Sequence, residues 1–352
     1  MKMKSLLSGL AVSLVALSCA TVKTQAYTVT LPLSEDEDGL KAYLTDYDNG
    51  ARIDSTIVDK GAAVFKGTVS DPVLARVIVD GNRAGVFVLE EGDITLEKGN
   101  AKGTELNRRL AAISEDMSKL ANEYKSLPDT PESDARRMAI VEEYNALPAK
   151  VLGQNADNPV GYFMFLQMAY EKDLAGLRDM MKRYPRWAGM AKIKGLEKAL
   201  ELKAETSEGR MYKDFEISYN GKTQKLSNFV GKDGKYTLVD FWASWCGPCM
   251  REIDTLKDLY ATYKDKGLKI VGVAVWDEPE NTLKAMSAKD IPWPVILNAQ
   301  TVPTDMYGIS GIPCIILIDP QGKIVSRDKQ GAELRKDVAT ALEGWKAENN
   351  EE

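Results

Sequence analysis

The 352-residue chain contains no histidine. That absence removes Ser-His and Cys-His catalysis and nearly all zinc enzymology, so reactive groups must come from Cys, Asp, Glu, Lys or Tyr. Cysteine is scarce, limited to Cys19, Cys246, Cys249 and Cys314. A basic excess is missing too, with 46 Lys and Arg against 52 Asp and Glu, a formal net charge of -6. This balance gives no electrostatic footprint for nucleic acid, and no basic run suggests an anionic membrane surface. Beyond the N-terminus, no stretch is apolar and long enough to cross a bilayer as a helix. What is present, 44% hydrophobic and 28% charged residues, is the composition of a soluble globular protein long enough for two or three domains.

Met1-Lys2-Met3-Lys4 followed by the apolar stretch Leu6 to Leu17 has the charged and apolar regions of a secretory signal, here assigned to residues 1–26. Roughly a dozen apolar residues cannot span ~30 Å of hydrocarbon, so export to the periplasm or cell envelope is expected rather than a retained helix. Thr24-Gln25-Ala26 offers small residues for cleavage before Tyr27. Ala16-Leu17-Ser18-Cys19 loosely resembles a lipoprotein box, which would leave a lipid on Cys19.

Residues 27–105 read as a β-rich domain. Its predicted strands are Tyr27 to Leu31, Leu40 to Leu44, Ala62 to Lys66, Ala75 to Val79, Ala84 to Leu89 and Ile94 to Lys98, separated by turn signals such as Asp80-Gly81-Asn82. Residues 106–206 change period. Leu106, Leu110, Ile113, Met117, Leu120, Tyr124 and Leu127 alternate four and three apart and place one apolar seam along a helix, a candidate homodimer interface or, preferably, an intramolecular packing face. Further helices are predicted over Pro131 to Leu147, Tyr162 to Tyr170 and Leu174 to Tyr184, with Tyr162, Phe163 and Phe165 as core aromatics. Residues 207–352 then alternate strand and helix as an α/β domain with a mixed central sheet.

The chemistry concentrates in Trp245-Cys246-Gly247-Pro248-Cys249. A Cys-x-x-Cys pair alone suits half a zinc site, a structural disulfide or a redox centre. A four-ligand zinc cage is hard to assemble without histidine, and no metal or other cofactor is expected. The motif follows the predicted strand Thr237 to Trp242 and opens a helix, so free backbone N–H groups and the helix dipole favour a Cys246 thiolate. Cys249 lies one turn further in and less exposed, suited to resolving a mixed disulfide, and Pro248 fits the first helical turn.

Leu238 to Cys249 resembles the active-site strand and helix of the thioredoxin superfamily, and Gly308-Ile309-Ser310-Gly311-Ile312-Pro313 resembles its second signature, in which the proline is cis and faces the cysteines. The resemblance covers about Met211 to Trp345. The inserted segment Asp277 to Asn298 and the export signal are similar to the TlpA/ResA-like envelope branch. The region before it resembles the β-domain of unassigned function found ahead of many such proteins, with Gly103 to Asn107 as its closing segment.

This resemblance implies that Cys246 attacks and Cys249 resolves. Asp240 matches the buried acid that exchanges a proton with the resolving thiol, and burial should raise its pKa. Glu252 matches an acid that tunes the thiols, while Trp245, Ile312 and Pro313 shape a groove for an extended client strand. Three departures stand out. Cys314 follows the cis-proline position, either as a small buried residue or as a third thiol that modulates the disulfide. Asp254 replaces a proline of the active-site helix, which would leave that helix straighter. The strand Leu268 to Val275 offers no evident lysine partner to Asp240.

Thiol–disulfide exchange is the expected reaction. The Gly-Pro dipeptide between the cysteines favours reduction of disulfide-bearing clients; in an oxidising envelope the resemblance implies electrons from a membrane donor of DsbD or CcdA type, with apocytochrome c among the candidate clients. Oxidase or isomerase activity is the alternative within redox chemistry. A scaffold whose N-terminal region carries specificity is the alternative outside it. No Pro-x-x-x-Thr-x-x-Cys loop supports a thiol peroxidase.

Overall fold

The computed structural model describes residues 24–97 and 100–349. The apolar signal region and Cys19 lie outside the described residues, as does Lys98, where one predicted strand ends. The chain divides into two compact units after Met168.

The first unit carries eight strands: β1 (Gln25–Pro32), β2 (Lys41–Asp46), β3 (Arg52–Ile57), β4 (Ala62–Val69), β5 (Val73–Val79), β6 (Asn82–Leu89), β7 (Gly92–Glu97) and β8 (Asn100–Lys102). They form two four-stranded sheets, in the orders β4-β1-β7-β8 and β3-β2-β5-β6. Alternation buries Ala42 and Leu44 along β2 and Ala63 and Phe65 along β4, and these join Val77, Phe87 and Ile94 in one core shared by both sheets. Each large side chain buried there stabilises the unit by about 1.5–3 kcal/mol relative to exposure. The unpredicted strands are β3 and β8. β3 is an end strand whose side chains are all exposed or half-buried, so no apolar alternation marks it, and β8 has three residues. The expected cleavage point after Ala26 falls inside β1, whose pairing with β4 starts at Gln25.

The closing segment works through two residues. Gly103 has a φ of 106°, and a Cβ there would stand 2.0 Å from the Asp93 carbonyl oxygen, so the backbone passes only without a side chain. Asn107, fully buried near the start of α1 (Glu105–Ser126), accepts the Val88 N–H at 2.9 Å and donates to the Val88 carbonyl at 2.7 Å. The first helix is thereby pinned to β6. The sequence predicts that α2 (Pro131–Gln154) ends at Leu147, ahead of Pro148, yet it runs on through the proline. The lost donor is offset by Val151 and Leu152, which are buried beyond it. α1 packs on α2, its seam residues Leu106 to Leu120 half-buried and Tyr124 exposed. On α3 (Pro159–Ala169), Tyr162 and Phe165 are buried and Phe163 is half-buried.

The second unit begins with α4 (Leu174–Arg183), α5 (Pro185–Ala188) and α6 (Ala191–Glu205), followed by the hairpin β9 (Glu216–Tyr219) and β10 (Lys222–Lys225). The remaining elements are β11 (Tyr236–Trp242), α7 (Gly247–Tyr263), β12 (Leu268–Ala274), α8 (Pro279–Ala288), β13 (Val295–Ile296), α9 (Val302–Tyr307), β14 (Cys314–Ile318), β15 (Ile324–Arg327) and α10 (Gly331–Asn349). The five-stranded sheet has the order β13-β12-β11-β14-β15, with β11 parallel to β12 and antiparallel to β14. This is the mixed sheet of a thioredoxin-like domain. Ile253 and Leu256 of α7 and Leu334 and Val338 of α10 cover one face, and Phe215, Leu226 and Tyr307 lie in the cluster on the other.

The helical segment read as 106–206 is therefore not a separate body, because its last helices fold with the second unit. Buried Arg327 donates to the carbonyls of Thr206 at 2.8 Å and Tyr307 at 2.8 Å, tying the C-terminal end of α6 to β15 and α9. Among the described residues no helix is long and apolar enough to cross a membrane.

Candidate active site

β11 is the middle strand, and its alternation decides which face each residue serves. Leu238 and Trp242 belong to the cluster that holds Cys246 and Cys249, whereas Val239 and Phe241 belong to the cluster on the opposite face. Asp240 thus shares its face with the two cysteines.

Cys246 is the N-cap of α7, with Pro248 in the first turn. The Cys249 N–H donates to Cys246 Sγ at 3.2 Å. That N–H is one of the donors a helix start leaves without an intrahelical partner, and it favours negative charge on the sulfur. The two cysteines are joined as a disulfide, 4% and 2% exposed. The expected contrast in exposure is absent in this oxidised form. The Ile312–Pro313 peptide is cis, and the Ile312 carbonyl oxygen lies 3.7 Å from Cys246 Sγ. Trp245 is 61% exposed, with its ring N–H donated to the Trp276 carbonyl at 2.8 Å.

Asp240 is buried, and burial followed by the negative charge of Glu252 pushes its pKa up from 3.8 to about 7. Glu252 accepts the Gly331 N–H at 2.9 Å, which joins α7 to the start of α10. The lysine that β12 does carry is no partner to Asp240: Lys269 is opposite Thr237, and its ammonium pairs with Asp233 at 2.6 Å. Opposite Asp240 is Gly272. A Cβ there would come within 2.9 Å of Trp242 Nε1, so the Trp242 ring occupies the space a side chain would need. Asp240 is therefore influenced by a carboxylate and not by a cation.

Cys314 is not brought to the dithiol. It is buried in the cluster on the far face of the sheet, and its sulfur hydrogen-bonds to Asp328 Oδ1 at 3.1 Å. Burial, then the Asp328 charge, pushes this thiol well above its usual pKa, the opposite of what a nucleophile requires. The placement is that of a small buried residue and corrects the modulator reading.

Sequence reasoning marked Asp277 only as the first residue of the insert. The structure buries it, with its carboxylate accepting the Ser244 N–H at 2.8 Å. The available signal was an acid ending the apolar run Val273-Ala274-Val275-Trp276, in the strand beside β11.

Residues 209–327 match the AhpC/TSA family. The thiol-disulfide oxidoreductase ResA of Geobacillus thermodenitrificans is 30% identical over 134 residues, covering 38% of this chain and 75% of that protein. The chain belongs to the ResA thiol-disulfide oxidoreductase family. ResA of Bacillus subtilis is 33% identical over 106 residues, 30% of this chain and 58% of that protein. The thioredoxin domain of a thiol-disulfide oxidoreductase from Bacteroides vulgatus is 32% identical, covers 40% of this chain and 97% of its own, and superposes with a TM-score of 0.33. Ahead of the ResA-like part, residues 27–110 match a domain of unknown function, DUF4369. The protein is accordingly a thiol–disulfide oxidoreductase with an additional β-rich N-terminal region.

Proposed function

We propose that this ResA-family enzyme works as a reductant of disulfides in exported proteins, apocytochrome c among them, in the periplasm or cell envelope. The observation that carries the reading is the pairing of a sulfur that receives a helix N-terminal N–H with a buried acid on the same sheet face, poised near neutral pH. In the reduced enzyme the Cys246 thiolate attacks one sulfur of a client disulfide, and the client's other sulfur leaves as a thiolate and takes up a proton. Asp240 accepts the proton of the Cys249 thiol. The Cys249 thiolate then attacks Cys246 Sγ, the second client sulfur departs and is protonated, and the Cys246–Cys249 disulfide remains. Two electrons from a membrane dithiol donor of DsbD or CcdA type restore the starting state.

Equilibration against glutathione tests the direction. The expected potential lies near thioredoxin's value of about −270 mV, and a value near the about −120 mV of strong oxidants would turn the reading to an oxidase. The signal-like residues 1–26 and the Gly247-Pro248 dipeptide support the envelope and reducing readings respectively.

A further inference from the structure

Asp277 takes no part in the dithiol cycle, yet it is tied to the residues beside Cys246. The residue is 4% exposed, and its carboxylate accepts three donors: the Ser244 N–H at 2.8 Å, the Ser244 hydroxyl at 2.9 Å and the Thr282 hydroxyl at 2.8 Å. Thr282 is fully buried on α8, so one carboxylate joins the inserted helix to the loop that leads into Cys246. The preceding residue completes a bracket, because the Trp276 carbonyl receives the Trp245 ring N–H at 2.8 Å. Gln300 closes it from the other end of the insert, donating to the Asp277 carbonyl at 2.8 Å and to Asn298 Oδ1 at 2.9 Å. Trp276, Asn298 and Gln300 have φ values of 52°, 58° and 47°. A bulky residue holds that left-handed conformation only where its surroundings over-determine it.

We propose that Asp277 is a positioning residue for client selection: through Ser244 it fixes Trp245 as a rigid wall of the client groove, so that polypeptide disulfides are bound in preference to small ones. The inference rests on the reading of Trp245 and Pro313 as groove residues. An indole that is 61% exposed has rotamer freedom that binding must remove, unless the free enzyme has already lost it. Here two consecutive residues are held by two consecutive residues, backbone and ring together. A polypeptide strand lying along the wall gains from that order, whereas a small disulfide that reaches only the sulfur does not. Without the carboxylate, the part-buried Ser244 N–H, fixed by the backbone, has no means of turning toward another acceptor.

The test is turnover of the full chain, with dithiothreitol as electron source, on insulin and on a small aromatic disulfide. Asp277→Ala, which removes both acceptor oxygens, is expected to raise KM for insulin about tenfold, with kcat and the small-disulfide rate held within about twofold, the size expected for a part-buried donor left unpaired. Thr282→Val keeps the carboxylate and removes one donor, so it should shift the insulin KM in the same direction by less, and it carries the test if Asp277→Ala folds poorly. An unmoved insulin KM in both variants, or an equal loss on both substrates, overturns the inference while leaving the exchange reading intact. A wild-type chain inert toward both disulfides would overturn both together.

Discussion

In the β11–β14 ladder Cys314 pairs with Phe241 while Ile315 pairs with Asp240. This offset of one residue turns the Cys314 sulfur to the sheet face opposite Cys249, since successive strand residues point to opposite sides. Cys314→Ala is therefore expected to keep client-reduction kcat and KM within about twofold while costing about 1 kcal/mol of stability for the lost packing. Peptide mapping after alkylation at pH 8 should find Cys314 unmodified until the protein is unfolded. Rapid labelling of Cys314 in the native enzyme would contradict the far-face placement.

Asp240 links stability to pH. Its carboxyl titrates near 3.8 when free and near 7 in the folded protein, so between those values the folded form binds the extra proton. Stability is then fully present below about pH 4 and is lost as pH rises through about 7, by up to about 4 kcal/mol at about 1.4 kcal/mol per pH unit. Asp240→Asn, neutral and nearly isosteric, should match the wild type near pH 4 and exceed it at pH 8. Glu252→Gln removes the neighbouring negative charge and should move the wild-type transition to lower pH. Urea unfolding of the oxidised protein at pH 4.5, 6 and 8 reads both effects, and a wild-type stability that does not fall across that range would refute the assignment.

The order of attack can be read by trapping. Cys249→Ser removes the resolving thiol, so clients should accumulate as mixed disulfides on Cys246, visible as reductant-sensitive adducts on non-reducing gels. Cys246→Ser should give none. Adducts on Cys249 in the second variant, at a comparable yield, would reverse the roles of the two cysteines.

In the first unit, the Asn107 side-chain amide links the start of α1 to β6. Asn107→Ala leaves the Val88 N–H and carbonyl without their side-chain partner, and two unsatisfied buried groups cost about 2–5 kcal/mol. The expected outcome is a lower unfolding midpoint for the N-terminal region, followed by circular dichroism, while dithiol activity on a small disulfide stays within about twofold. An unchanged midpoint would show that the pin contributes nothing.

Much of the site was legible because its chemistry is local. The strand from Leu238 to Trp242 is apolar apart from Asp240, and the Gly-Pro pair opens a helix directly behind it, so the dithiol, the buried acid and the helix N-terminus follow from adjacent residues. β3 escaped notice for the opposite reason: its exposed and half-buried side chains leave no periodic trace, and only pairing with β2 makes it a strand. The end of α2 was misread because Pro148 carries a local stop signal that burial of Val151 and Leu152 overrides.

By itself, the sequence determined the reactive pair, the acid six residues ahead of it, the proline facing it and the succession of β-rich, helical and α/β regions. The reactive pair and the regional succession are written in local spacing and periodicity, whereas the roles of the acid and of the proline came from the resemblance of their motifs to the thioredoxin superfamily. Only the tertiary structure decided which face of the sheet Cys314 serves, what charge Asp240 feels and what Asp277 holds. Those relations join residues from separate strands and loops, and ladder register and burial set them rather than local spacing.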